Sequence, residues 1–161
     1  ELQKGRDNLT YIKRFIVAVA DSAGNAVPNA MISKSVDLTR YLKGPDWNGL
    51  KFACLNKDTN RNGFLDAGED VDGSGELTPR KADVVVSGDT QTDANGMAVI
   101  KVEYPQNVAT WLEYEVKVTT NVAGSEGTVQ KSYITGFVEG DEKNGSFLTP
   151  AYGKNACSVL N

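Results

Sequence analysis

Along much of the chain, apolar and polar residues alternate with a period of two. The alternation is clearest in Met97 to Tyr104 and in Trp111 to Val122. Successive side chains of a strand point to opposite faces of a sheet, so this pattern predicts two strands that each bury one face. The apolar positions predicted to face the core are Ala98, Ile100, Val102, Tyr104, Leu112, Tyr114, Val116 and Val118.

Other short segments rich in β-branched and apolar residues also predict strands, and turn sequences separate them about every ten residues. These turns include residues 21–25, 92–96 and 125–127. No segment has a convincing helical period. A single domain of 161 residues folded as an all-β, antiparallel sandwich is therefore expected. The additional predicted strands are Tyr11 to Ala20, Ala30 to Tyr41, Ala82 to Ser87 and Thr128 to Val138.

Residues 56–81 interrupt this pattern with a polar, glycine-containing insert. Within it, Asp58 to Glu69 reads D-T-N-R-N-G-F-L-D-A-G-E, which matches the calcium-loop pattern D-x-[DN]-x-[DN]-G-x5-E. Calcium binds six to eight hard oxygen ligands, and Gly63 stands where the loop turns sharply. Leu65 is expected to point inward and anchor the loop. The predicted ligands are Asp58, Asn60, Asn62, the backbone carbonyl of Phe64, Asp66 and Glu69.

A second, degraded copy follows directly, from Asp70 to Lys81. Lys81 occupies the position of the bidentate glutamate, so a second calcium ion would need a carboxylate from elsewhere, and Asp83 is a nearby candidate. The alternative is a turn segment rich in Asp and Gly that binds nothing. The candidate ligands of this second loop are Asp70, Asp72, Ser74 and Glu76.

The negative charge of the chain is concentrated in these loops. Residues 58–76 carry six acids and one base, a net charge of −5, whereas the whole chain carries −4. Crowded carboxylates repel one another unless a cation offsets them. An EF-hand requires a helix on each side of the loop, and neither flank provides one. The helix-poor tandem arrangement resembles the calcium loops of dockerin-like and thrombospondin type 3 repeats.

Cys54 and Cys157 are the two cysteines of the chain. Their spacing fits no metal motif. In an exported protein they would pair and tie the tail, residues 139–161, to the base of the calcium loops. The alternative is two separate buried thiols. The start at Glu1 without methionine suggests a mature or trimmed fragment.

Two turn sequences resemble bacterial immunoglobulin-like domains of invasin and intimin type. Val19 to Ala30 contains D-S-A-G-N-A-V-P-N-A, and Thr92 to Ala98 reads T-D-A-N-G-M-A. In those domains, D-x-x-G-N-x-V-x-x-A joins the first strands and T-D-x-x-G-x-A opens a later hairpin. The resemblance covers Ile12 to Val138 without the insert. It implies a Greek-key sandwich of about seven strands, in a bacterial surface, secreted or periplasmic protein used as a spacer or adhesin.

The amino-acid composition argues against several classes of function. The chain has no histidine, which argues against Ser-His-Asp and Cys-His catalysis, and the family it resembles has no catalytic residues. Carboxylate pairs such as Asp89 with Asp93, or Asp141 with Glu142, are expected to be turn residues. No basic stripe predicts nucleic-acid binding, and no apolar run predicts a membrane span. A non-catalytic protein is therefore expected.

The expected partners are other domains of the same surface protein, or a protein or glycan ligand at the surface. The alternative function is a calcium-dependent carbohydrate-binding module, in which aromatic residues supply a flat platform for a sugar. The competing interpretation places the tryptophans in the core or at the edge of the sandwich. The candidate platform residues are Tyr41, Trp47, Tyr104 and Trp111.

Overall fold

The computed structural model describes residues 1–122 and 124–160. The predicted all-β class is confirmed, because two antiparallel four-stranded sheets share one core. Helical structure in the described residues is limited to 3-10 turns of three residues each. The strands in chain order are β1 (Leu2–Lys4), β2 (Thr10–Ala18), β3 (Met31–Lys43), β4 (Phe52–Leu55), β5 (Val85–Gly88), β6 (Met97–Pro105), β7 (Leu112–Val122) and β8 (Ser125–Ile134).

The first sheet has the order β1-β2-β6-β5 and the second has the order β4-β3-β7-β8. The chain crosses between sheets after β2, after β4 and after β6, whereas β3–β4, β5–β6 and β7–β8 are antiparallel neighbours within a sheet. The long β4-to-β5 crossing contains the insert. The calcium-loop sequences therefore connect the second sheet to the first.

The two segments with the clearest alternation form β6 and β7, and their apolar positions are buried as predicted. Ile100 and Val102 of β6, and Leu112 and Tyr114 of β7, are at most 1% exposed. The polar residues between them point outward, as expected for sheets with one buried face. Burial of these side chains is the main source of sandwich stability, at roughly 25 cal/mol per Å² of apolar area.

The predicted turn at residues 125–127 is wrong, because these residues belong to β8. Val122 pairs with Ser125, and Gly127 pairs with Thr120 across the sheet. Two residues are enough to connect antiparallel strands, so the hairpin needs no longer turn. Residue 123 lies outside the described part of the chain. Strands β1 and β4 are additional to the predicted set.

The C-terminal tail packs on the sandwich, and the predicted disulfide between Cys54 and Cys157 is confirmed, across a sequence separation of 103. The Nε1 of buried Trp111 donates to the carbonyl of Phe147 at 2.7 Å, and Phe147 itself is fully buried. Tyr152 packs edge-on against Tyr41 of β3. Residues 139–160 thus complete one end of the core. None of the described helical turns is long and apolar enough to cross a bilayer.

Candidate calcium loops

The insert leaves β4 through a hydrogen-bonded base that fixes its direction. The Asn56 backbone N–H donates to the Thr39 carbonyl at 3.1 Å, and the Asn56 side-chain amide donates to the Leu38 carbonyl at 2.6 Å. The Lys57 backbone N–H donates to the Thr78 carbonyl at 3.1 Å. The chain therefore enters and leaves the two loops at the same point beside β3.

The first loop winds around the carboxylate of Asp58. Its two oxygens accept backbone N–H bonds from Asn62 at 3.0 Å and from Gly63 at 2.9 Å. Gly63 has φ +83°, a left-handed conformation that suits glycine. Asp58 is 4% exposed. The sequence thus places its first predicted ligand at the centre of the turn rather than on the surface.

Glu69, the last predicted ligand of the first loop, folds back toward the start of the loop. One carboxylate oxygen accepts from the N–H and the hydroxyl of Thr59, at 2.8 and 2.7 Å, and the other accepts from the Asp66 N–H at 3.0 Å. The hydrogen bond from the Asp66 backbone and those from Thr59 lower the pKa of the Glu69 carboxyl. The buried carboxylate at position 12 therefore ties the end of the first loop to its start.

The remaining side chains of the first loop meet at Asp66. The amide nitrogens of Asn60 and Asn62 each donate to the same Asp66 oxygen at 2.8 Å. Their amide oxygens accept the backbone N–H groups of Asn62 and Phe64. The Phe64 side chain is 72% exposed, which is compatible with its predicted backbone role. Leu65 is also exposed, at 37%, so the prediction that it anchors the loop inward is wrong.

Arg61 anchors the first loop to the second sheet. Its guanidinium bonds both carboxylate oxygens of Asp37 on β3, at 2.6 and 3.1 Å, and also donates to the Asp58 carbonyl. Its hydrogen bonds to the Asp37 carboxylate raise the pKa of Arg61. The base in this acidic segment therefore attaches the first loop to the sandwich.

The second loop repeats the first at a period of twelve residues. The Asp70 carboxylate accepts from the Ser74 N–H at 3.0 Å and from the Gly75 N–H at 2.8 Å. These are the bonds that Asp58 makes in the first loop, one repeat later. Gly75 has φ +73°, like Gly63. The two dodecapeptides thus share their backbone turn as well as their sequence pattern.

An ammonium group lies inside the second loop. The Nζ of Lys57 donates to Ser74 Oγ at 2.7 Å, to the Glu76 carbonyl at 3.2 Å and to Asp70 Oδ1 at 3.4 Å, and it also contacts Asp72 Oδ1. The Lys57 side chain is fully buried. Although burial alone would raise it, hydrogen bonds from Lys57 and Ser74 lower the pKa of Asp72 to about 2.

The carboxylate proposed to complete the second loop makes other contacts. Asp83 accepts from the Arg80 backbone N–H at 3.1 Å and from the Tyr152 hydroxyl at 3.2 Å. Asp83 therefore supports the chain at the end of the insert and the docked tail. Lys81, at position 12 of the second loop, is exposed.

The donor chemistry of the first loop fits calcium, which takes carboxylate, amide and backbone carbonyl oxygens in flexible geometry. The predicted donors lie within one twelve-residue loop: Asp58, Asn60, Asn62, the Phe64 carbonyl, Asp66 and Glu69. Across residues 1–122 and 124–160, no three His, Cys, Asp or Glu side chains form a metal-holding group. A metal would therefore rely on the neutral oxygens as well as on the carboxylates.

The other candidate functional residues have structural contacts. Trp111, Tyr41 and Tyr104 are at most 1% exposed, so they form part of the core and do not present a flat sugar platform. Trp47 is partly exposed and packs edge-on against Phe147.

The suspected carboxylate pairs are likewise engaged. Asp93 accepts backbone N–H bonds within its turn, and Asp89 accepts the Val99 N–H. Asp141 accepts from Lys4 and from Tyr11, and Glu142 accepts the Gly140 N–H. Asp93 and Glu142 thus bond within their own turns, as expected, whereas Asp89 bonds β6 and Asp141 bonds the first sheet.

Sequence reasoning missed Lys57, because the calcium pattern begins one residue later. The available signal was a lysine directly before the tandem loops, the second of which lacks its position-12 acid.

No family model, no curated protein and no solved structure matches this chain.

Proposed function

We propose that this chain is a non-catalytic, immunoglobulin-like module of an exported bacterial protein, a structural spacer or adhesin whose inserted first loop binds calcium. The turn motifs that resemble invasin and intimin domains support the bacterial surface setting, and the Cys54–Cys157 disulfide is compatible with an oxidising compartment. The partners would be neighbouring domains of the same protein or a surface ligand.

One observation carries the calcium proposal. The first loop has the turn at Gly63, the buried Asp58 and the Glu69 at position 12 that belong to the pattern. The second loop has the same backbone turn and surrounds the positive charge of Lys57. The dodecapeptide turn of this chain is thus compatible with a central cation. In the first loop the six predicted donors are oxygens, and calcium is the cation that such a set prefers.

Calcium would stabilise the insert by binding the folded loop and not the unfolded chain. The first loop contributes few buried side chains, and both Phe64 and Leu65 are exposed. A polar segment of this kind buries too little apolar area to offset its ordering entropy. Ligand binding adds RT ln(1 + [L]/Kd) to the free energy of unfolding, about 2.7 kcal/mol at one hundred times the Kd.

The test is thermal unfolding of the wild type and of a D58A/E69A variant, each in calcium and in chelator. We expect calcium to raise the Tm of the wild type and to leave that of the variant unchanged. A D46A/E126A variant, which removes two exposed acids outside the loops, should keep the calcium response. Coincident wild-type curves in calcium and in chelator would contradict the proposal.

A further inference from the structure

The second loop contains a buried charge that its own sequence does not supply. Lys57 precedes the first dodecapeptide, yet its side chain reaches across to the second one and is fully buried there. A buried ammonium is costly unless it is paired and hydrogen-bonded. Here two carboxylates, a hydroxyl and a carbonyl surround it, so its three donors have partners.

These partners occupy particular positions of the loop. Asp70, Asp72, Ser74 and Glu76 stand at positions 1, 3, 5 and 7 of the second dodecapeptide. The calcium pattern takes its oxygens from the same positions, including the backbone carbonyl at position 7. The Lys57 Nζ contacts Oδ1 of both aspartates, Oγ of the serine and the carbonyl oxygen of Glu76. The ammonium therefore lies where the pattern places its cation.

The rest of the second loop is consistent with a monovalent occupant. Position 12 is Lys81, which is exposed, and the nearby Asp83 carboxylate bonds the Arg80 N–H and the Tyr152 hydroxyl. Neither Lys81 nor Asp83 therefore brings a carboxylate to the Lys57 ammonium. The two negative charges of Asp70 and Asp72 face the single positive charge of Lys57, and that ammonium would repel a divalent ion placed beside it.

We propose that Lys57 is the resident cation of the second loop: its ammonium replaces a divalent ion, closes the loop without metal, and hides a latent calcium site. The inference concerns the second loop alone and stands whether or not the first loop binds calcium. If the first loop binds calcium as proposed, the two halves of the tandem differ in kind, one closed by an external ion and the other closed by the chain itself.

The experiment is calorimetric titration of calcium chloride into metal-stripped wild type and a metal-stripped K57Q variant, which is refolded in calcium before stripping if necessary. We expect K57Q to bind one more calcium ion per chain than the wild type. A K81Q variant removes a neighbouring exposed charge outside the cluster and should keep the wild-type number. Equal numbers for K57Q and the wild type would overturn the proposal.

A second measurement uses only the wild-type protein. Amine acetylation, mapped by mass spectrometry in chelator and in millimolar calcium, should leave Lys57 protected in both conditions while exposed Lys117 reacts. Reaction of Lys57 at the rate of Lys117, or its exposure on addition of calcium, would overturn the assignment. A wild type that binds no calcium while K57Q binds one ion would contradict the proposed function and support this inference.

Discussion

Gly96 shows how a single residue constrains the turn before β6. Its φ of +72° is left-handed, and an added Cβ would lie 2.8 Å from the Val19 carbonyl oxygen and 3.0 Å from the Val27 nitrogen. Gly24 also has a positive φ, +85°, but no atom lies within 4 Å of its Cβ position. A comparison of alanine substitutions at the two glycines therefore separates the energetic cost of the backbone conformation from the cost of steric contact.

We expect G24A to lower the free energy of unfolding by about 1–2 kcal/mol, the usual cost of a left-handed non-glycine residue. G96A should cost clearly more, because backbone atoms of two neighbouring segments must also shift. Urea unfolding of both variants measures the difference. Equal losses would show that the contact with Val19 is not significant.

Asp141 links the tail to the first sheet through its side chain. Its carboxylate accepts from the buried Tyr11 hydroxyl at 2.6 Å and from the Lys4 ammonium at 2.8 Å. The bond from Lys4, followed by that from Tyr11, lowers the pKa of Asp141 below its ordinary value of 3.8. We expect D141A to lose about 1–3 kcal/mol at neutral pH, because the Tyr11 hydroxyl loses its partner.

The pH dependence follows from the direction of that shift. A lowered folded-state pKa gives stability that is present above pH 3.8 and is lost as the pH falls through the folded value. The difference between wild type and D141A should therefore be constant near neutral pH and shrink below pH 3.8. Denaturant unfolding across the acid range measures it. A difference that grows on acidification would contradict this account.

The sequence pattern grouped Asp58 and Glu69 in one loop, and the structure places both carboxylates within that loop. Their role as calcium ligands stays a prediction. The pattern could not place Lys57, whose partners belong to the second dodecapeptide, and it misplaced Leu65, which is exposed. Contacts between consecutive repeats are not encoded in the spacing of one repeat.

At the scale of elements, the tail depends on its crosslink and on the core contacts of Phe147. The Cys54–Cys157 disulfide closes a separation of 103 residues. A crosslink over a loop of this size restricts the unfolded chain by up to about 4.7 kcal/mol. We expect a C54A/C157A variant to unfold at markedly lower urea concentration. The reduced wild type is its control and should behave alike, whereas an unchanged midpoint would show that packing alone holds the tail.

The sequence predicted β6 and β7 from their alternation, and β2, β3, β5 and β8 from their β-branched and apolar residues. Strands β1 and β4 have three and four residues, too short for a period of two to be recognised. Each exists because a longer neighbour, β2 or β3, pairs with it. The start of β8 was misjudged for the same reason, since pairing with Thr120 incorporates Gly127 into a strand, whereas β7 ends at Val122 as predicted.

At the scale of the whole molecule, a sandwich with its own core carries an acidic insert that has little core of its own. The sheets are stabilised by apolar burial, the tail by a disulfide, the second loop by Lys57, and the first loop, on our proposal, by calcium. Removing calcium should therefore loosen the first loop while the paired strands persist.

The most direct measurement is anomalous diffraction at long wavelength from crystals grown with calcium. The account predicts one calcium peak among the oxygens of Asp58, Asn60, Asn62, Phe64, Asp66 and Glu69, and Lys57 density without a peak in the second loop. Absence of a peak in the first loop at millimolar calcium would contradict it.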